Sequence, residues 1–116
     1  MYIGEVARRT GLTVKAIRFY EEQKLIAPQR SGRYRLYREQ DIELLTLVRE
    51  ATELGATLRQ LQGVIQFRDG NVDWTPIRPF LQALRQRLLD QRAQLDARLS
   101  RLDHCLEQLT PESSSP

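Results

Sequence analysis

The sequence contains the run Thr13-Val14-Lys15-Ala16-Ile17-Arg18-Phe19-Tyr20-Glu21, which predicts a helix with two different faces. Thr13 is a residue type that accepts a hydrogen bond from the first free amides of a helix, and Gly11 supplies a turn just before it. At helical spacing the basic residues Lys15 and Arg18 share one side, while the apolar residues between them share another. The pattern favours the recognition helix of a DNA-binding domain; an ordinary amphipathic surface helix is the alternative.

A shorter helix precedes this stretch. Ile3, Val6 and Ala7 follow helical spacing and predict a helix over residues 3 to 9, and Thr10-Gly11 forms the turn after it. The order is then helix, tight turn, helix. In such a unit the first helix braces the second one against a DNA groove.

A basic hairpin is predicted next, over Arg30–Arg38. Around Ser31-Gly32 the arginines alternate with Tyr34 and Leu36, and this two-residue period separates guanidinium groups from packing groups. We interpret it as a wing that extends the contact along a phosphate backbone. An ordinary polar hairpin is the alternative.

Two scaffold helices complete a head domain, which we define as residues 1–68. The first begins at Glu39 and ends at Gly55, and the second is introduced by a capping box of Thr57 and Gln60 and extends to about Phe67. Residues 69–79 read as a connector because their composition changes to turn-forming residues.

A long helix over residues 80–109 carries leucines at every seventh position. A single helix of this length could not bury that face, so we expect pairing with a second copy of the chain in a symmetric dimer. Residues 110–116 form a polar tail that we expect to be disordered. The residues predicted to form the dimer are Leu81, Leu84, Leu88, Leu95, Leu99, Leu102, Leu106 and Leu109.

The positive charge is concentrated in the head domain. The 116 residues carry a net charge of only +3, yet Arg8–Arg38 holds nine Lys or Arg against two acidic residues. Such a patch with interleaved aromatic residues favours nucleic acid as the partner. One His, one Cys and scattered carboxylates give no nucleophile with a base beside it, so we do not expect an enzyme.

The location of the chain is predicted from what the sequence lacks. A single Cys excludes an internal disulfide framework, and the first residues do not read as a secretion signal. No apolar run approaches the ~18 residues needed to cross a bilayer. We therefore expect a cytoplasmic protein with no membrane partner.

Residues 1 to 68 resemble the MerR family of bacterial transcription regulators. The resemblance is carried by Ile3-Gly4-Glu5-Val6-Ala7, Gly11-Leu12-Thr13, Ala16–Glu21, Tyr34-Arg35-Leu36-Tyr37 and Leu54-Gly55, and the run Lys15–Glu21 is especially similar to the copper-sensing branch. The chain departs from the family where Arg33 replaces the usual Gly before the wing Tyr. Trp74-Thr75-Pro76 also stands where metal-sensing members have Cys or Ser.

The resemblance implies a mainly α chain, with a winged helix-turn-helix domain followed by a long dimerisation helix in an antiparallel coiled coil. It further implies a homodimer that binds a pseudo-palindromic promoter operator in double-stranded DNA. The dimer would distort the duplex so that RNA polymerase engages both promoter elements. The predicted DNA-binding residues are Thr13, Val14, Lys15, Arg18, Phe19, Tyr20, Arg30, Arg33, Tyr34, Arg35 and Tyr37.

We predict no cofactor, no metal site and no catalytic residue. Cys105 and His104 are adjacent on a helix and point apart, so they do not chelate one ion from one chain. Cys105 is open to two further interpretations, a thiol switch or a small apolar residue of the seam. For the whole chain, a coiled-coil adaptor whose basic head binds an acidic protein surface is the alternative function.

Overall fold

The computed structural model describes residues 1–109, and it is mainly helical. The chain divides into two compact units, Met1–Arg78 and a second one that begins at Pro79. Among the described helices, none is both long and apolar enough to span a lipid bilayer. The elements are α1 (Ile3–Thr10), α2 (Val14–Glu22), β1 (Gln29–Ser31), β2 (Tyr34–Leu36), α3 (Glu39–Glu53), α4 (Leu58–Val64), β3 (Gln66–Arg68), β4 (Asn71–Asp73) and α5 (Ile77–Gln108).

The predicted helix-turn-helix is present. The Thr13 hydroxyl accepts a hydrogen bond from the Ala16 amide at 3.0 Å, so the predicted cap of α2 is confirmed. Gly11 takes a left-handed φ of +75° that ends α1. The buried Thr10 hydroxyl donates to the Val6 carbonyl at 2.8 Å and accepts from the Leu12 amide at 3.2 Å. These local bonds fix the angle at which α2 leaves α1.

The core of the first unit lies between the helix-turn-helix and α3. Val6, Ile17 and Leu61 have no exposed surface, and the same is true of Leu45 and Val48 on α3. Burial of this kind contributes about 1.5–3 kcal/mol for each large aliphatic side chain. The face of α2 that packs on this core is therefore held rigidly.

Two arginines tie α1 to α3. Arg9 places its two terminal nitrogens 2.6 and 2.9 Å from the carboxylate oxygens of Glu39. Arg49 donates to the Thr10 carbonyl at 2.7 Å, which satisfies a carbonyl at the end of α1. Arg49 therefore caps the helix that packs against α2.

The wing is an antiparallel hairpin of β1 and β2. Its register pairs Arg30 with Arg35 and Ser31 with Tyr34, so the loop is Gly32-Arg33. The loop therefore lies one residue later than the predicted Ser31-Gly32 centre. Gly32 has a φ of +61°, which the first position of a tight hairpin turn requires.

The predicted end of the fourth helix and the predicted connector are wrong. The capping box of Thr57 and Gln60 is confirmed, but α4 ends at Val64 and not at about Phe67. Residues 66 to 73 form a second hairpin in which Phe67 pairs with Val72. Its turn is Asp69-Gly70, where both residues have positive φ.

The second hairpin is held on the start of α3. The side chains of Arg38 and Gln40 both donate to the Gly70 carbonyl, and Arg38 also donates to the Asn71 side chain at 3.3 Å. The Gln40 side chain in turn accepts from the Val72 amide at 3.2 Å. Tertiary contacts of this kind stabilise a hairpin that would be marginal alone.

The long helix α5 begins three residues before the predicted start at residue 80. It includes Pro79, which is tolerated because the first amides of a helix have no intrahelical partner. Leu84, one of the predicted seam leucines, is 3% exposed. The predicted tail, residues 110–116, lies outside the described residues. The other seam leucines are exposed: Leu81, Leu88, Leu95, Leu99, Leu102, Leu106 and Leu109.

Candidate nucleic-acid interface

A cleft opens between α2, the wing and the start of the chain, and we call it the basic cleft. It encloses a cavity of about 520 Å³. Three guanidinium groups and three phenol groups stand in its walls, and the exposed groups among them offer N–H and O–H donors to an anion. The wall residues are Tyr2, Ile3, Arg18, Arg33, Tyr34, Arg35 and Tyr37.

Helix α2 presents its basic side to solvent. Lys15 and Arg18 are exposed, and Phe19 beside them keeps 41% of its surface accessible. Ile17 on the opposite side is fully buried. The division of faces predicted from the helical spacing is thus present, and packing of the apolar face fixes the direction of the basic one.

The remaining residues predicted to bind DNA from α2 differ in their exposure to solvent. Thr13 is exposed, but its hydroxyl serves as the cap of the helix. Val14 and Tyr20 are half-buried, and the Tyr20 ring lies 5.7 Å from the Phe19 ring, centre to centre. Phe19 and Tyr20 therefore form an aromatic pair at the edge of the basic face.

The wing adds further cations. Arg30 and Arg33 are exposed, and the Tyr34 ring is 62% exposed. Arg30 and Arg35 face each other across the hairpin register, which places two like charges side by side. Repulsion between cross-strand like charges is unfavourable unless a counter-charge is near. A dense row of this type is the arrangement expected of a phosphate contact.

Glu21 supplies one such counter-charge and connects α2 with the wing. Its Oε2 lies 2.6 Å from Nε of Arg35, and its Oε1 accepts a hydrogen bond of 3.0 Å from the Tyr37 hydroxyl. We call these two contacts the Glu21 brace. Because the last turn of α2 and the end of the wing are joined here, Arg18 and Arg35 are held on the walls of one cleft.

Tyr37 stands apart from the other predicted DNA-binding residues. Its side chain is only 2% exposed, so it packs in the core and leaves little surface for a direct contact with DNA. Burial, followed by the hydrogen bond to Glu21, raises the pKa of its hydroxyl to about 12. The structure thus gives Tyr37 a supporting position behind the cleft.

Tyr2 is a cleft residue that the sequence interpretation missed. Its ring is 59% exposed and meets the Tyr34 ring edge-on, with the centres 5.7 Å apart. The residue lies beside the wing because Met1 pairs with Tyr37 through two backbone hydrogen bonds of 2.8 and 2.9 Å. This pairing spans 36 positions of the chain, and no local pattern around Tyr2 indicates it.

Possible metal ligands do not gather in the part of the chain that the structure describes. Over residues 1–109 no group of three or more His, Cys, Asp or Glu side chains could hold an ion together. Cys105 is exposed on α5.

Comparisons with known proteins agree with this geometry. The profile of MerR HTH family regulatory proteins matches residues 1–67. The chain is similar to the HTH-type transcriptional regulator CueR of Yersinia pestis, with 48% identity over 67 residues, 56% of this chain and 48% of that protein. It is also similar to CueR of Salmonella typhi, with 33% identity over 118 residues, 99% of this chain and 80% of that protein. The first alignment spans about half the length of its relative.

Among solved structures, the chain is similar to the N-terminus of MtaN, the Bacillus subtilis multidrug transporter activator. The TM-score is 0.65 at 20% identity, and the match covers 91% of this chain and 97% of that one. At this identity the likeness concerns the fold alone. The predicted mainly α architecture, a helix-turn-helix with a wing followed by a long helix, is thereby confirmed.

Proposed function

The chain belongs to the MerR family of helix-turn-helix regulatory proteins, and we propose that it binds a pseudo-palindromic promoter operator as a homodimer. The bound dimer distorts the duplex and thereby controls transcription by RNA polymerase. The protein acts in the cytoplasm by binding and carries out no catalysis.

The basic cleft is the observation that carries this proposal. Arg18 approaches it from α2, whereas Arg33 and Arg35 approach it from the wing, so one groove of DNA and its flanking phosphate strand could be contacted together. Helix α2 enters the major groove, where Lys15 and Arg18 reach base edges and phosphates. The predicted contacts Thr13, Val14, Phe19, Tyr20, Arg30 and Tyr34 surround these positions.

The exposed leucines of α5 support the homodimer. From Leu95 onward each seam leucine is more than half exposed. An apolar stripe of this length is unfavourable in water unless a partner covers it. A second copy of α5, running antiparallel, supplies a self-complementary partner and places two head domains on one symmetric site.

A salt titration tests the proposal against its alternative, an adaptor that binds an acidic protein surface. Binding to a duplex is measured by fluorescence anisotropy at several salt concentrations. If a dimer neutralises five or more phosphates, the logarithm of the association constant falls with the logarithm of salt with a slope of about −4 or steeper. A slope near zero, or no binding at low salt, would contradict the proposal.

A matched variant makes the titration specific to the cleft. Arg33→Ala removes a guanidinium from the cleft wall and should reduce the slope by about 1 for each copy of the chain. Arg59→Ala removes an exposed guanidinium from α4, which does not line the cleft. Its slope should equal that of the unaltered chain.

A further inference from the structure

We infer that Tyr2 contacts the DNA backbone, donating a hydrogen bond from its phenol to a phosphate oxygen inside the basic cleft. This inference rests on the proposed function and adds Tyr2 to the proposed DNA contacts. Neither the helix-turn-helix pattern nor the wing pattern includes Tyr2.

The position of Tyr2 is fixed by the backbone and not by its own side chain. The Tyr37 amide donates to the Met1 carbonyl at 2.8 Å, and the Met1 nitrogen donates to the Tyr37 carbonyl at 2.9 Å. Met1 thus pairs with the residue that follows β2. Tyr2 then caps α1 in an extended conformation, with φ −89° and ψ 165°. The side chain is consequently presented on the wing side of the cleft.

The side chains that line the cavity with Tyr2 favour the binding of an anion. The cavity that its ring lines is also lined by Arg18, Arg33 and Arg35. Glu21 pairs with Arg35, whereas none of the ion pairs among residues 1–109 involves Arg18 or Arg33. The cavity therefore keeps positive charge that attracts a phosphate. A phenol beside these arginines offers an O–H donor that carries no charge of its own.

The ring itself has a role beside its hydroxyl. Tyr2 and Tyr34 make an edge-on pair, and both rings are more than half exposed. Such a pair is rigid because each ring restricts the other, so little conformational entropy is lost when a ligand covers it. A deoxyribose placed against the two rings would set its phosphate next to the three guanidinium groups.

Two substitutions test the inference. Tyr2→Phe keeps the ring pair and removes the hydroxyl, and we expect about a tenfold loss of affinity for operator DNA, because a hydrogen bond to a charged acceptor is lost. Tyr2→Ala also removes the ring and should lower affinity further. The salt slope should stay unchanged in both variants, since a neutral phenol releases no counter-ion.

Two further measurements distinguish a DNA contact of Tyr2 from a structural role of this residue. Thermal unfolding of Tyr2→Phe should match that of the unaltered chain, and ethylation interference should lose one phosphate in each half-site. As a control, Trp74→Phe alters another exposed aromatic residue that does not line the cavity, and its affinity should not change. Affinities of Tyr2→Phe and Tyr2→Ala within twofold of the unaltered chain would overturn the inference and leave the proposed function intact. Absence of DNA binding by the unaltered chain would overturn both.

Discussion

Arg18 is the residue of α2 that lines the basic cleft. Its neighbour Ile17 is buried, so the direction of the Arg18 side chain is set by core packing. Arginine is the side chain that reads guanine edges most often, through a planar fork of donors. At the scale of residues, we therefore propose that sequence discrimination depends on Arg18.

We predict that Arg18→Ala removes about 1–3 kcal/mol of discrimination between an operator and a random duplex. The reason is loss of base contacts, while the apolar face of α2 is unchanged. Competition binding with both duplexes measures this difference, and sedimentation checks that the dimer persists. Discrimination equal to that of the unaltered chain would show that Arg18 does not contact the bases.

A substitution at Gly11 tests the turn that joins α1 to α2. It has a φ of +75°, and a Cβ at this position would lie 2.9 Å from Nη1 of Arg49. Gly11→Ala should therefore destabilise the fold by about 1–2 kcal/mol, as a left-handed backbone is unfavourable for alanine. Arg49 would also lose its bond to the Thr10 carbonyl. Thermal denaturation measures the loss.

Gly63 gives the matched control for that substitution. It lies in α4, and a Cβ there would meet no atom within 4 Å. Gly63→Ala should leave the fold unchanged or stabilise it by up to about 1 kcal/mol, because alanine favours helix. If Gly11→Ala behaved in the same way as Gly63→Ala, the strained turn would not be a requirement of the fold.

At the scale of elements, the relation of α2 to the wing depends on the Glu21 brace. A carboxylate at the end of α2 receives Arg35 and Tyr37, and these lie in β2 and just after it. The hairpin is otherwise two short strands, which are marginal on their own. The brace and the core packing of Tyr37 hold the wing beside α2.

The Tyr37 hydroxyl gives this brace a pH signature. Its pKa in the folded chain is about 12, above the usual value of about 10 in an unfolded chain. The unfolded state then loses its proton first, so the stability contributed by Tyr37 is complete below pH 10 and is lost as pH rises towards 12. Urea denaturation across this window should show a steeper loss for the unaltered chain than for Tyr37→Phe. Parallel curves would contradict the raised pKa that burial and the Glu21 hydrogen bond give Tyr37.

Several elements were predictable because their signals are local. The capping residues Thr13 and Thr57 begin α2 and α4 as expected, since each hydroxyl bonds an amide three residues later. The second hairpin was missed although Asp69-Gly70 is a strong turn signal. The predicted helix to about Phe67 ends earlier because Phe67 pairs with Val72 across the hairpin.

The candidate site was predictable only in part. The exposed arginines of α2 and the wing follow from spacing and charge, whereas the burial of Tyr37 and the placement of Tyr2 depend on long-range backbone pairing with Met1.

At the scale of the whole molecule, charge and apolar surface are separated along the chain. Nine basic and two acidic residues lie in Arg8–Arg38, whereas the exposed leucines lie on α5. One part is suited to a polyanion, and the other is suited to a second copy. A regulator of a symmetric operator requires both properties in one chain.

We predict that Leu95→Asp converts the dimer to a monomer at micromolar concentration, because two buried carboxylates would face an apolar seam. Sedimentation equilibrium measures the mass. Ala93→Asp introduces the same side chain two residues earlier on the opposite face of α5, so it should remain dimeric. A dimeric Leu95→Asp variant would show that α5 does not form the interface.

The most direct test of the paired-head proposal is hydroxyl-radical footprinting of the unaltered chain on the DNA upstream of its own gene. Two protected half-sites of equal strength, related by a two-fold axis and about one helical turn apart, are the predicted result. Protection of a single half-site, or uniform protection without sequence preference, would contradict a dimer that reads a symmetric operator.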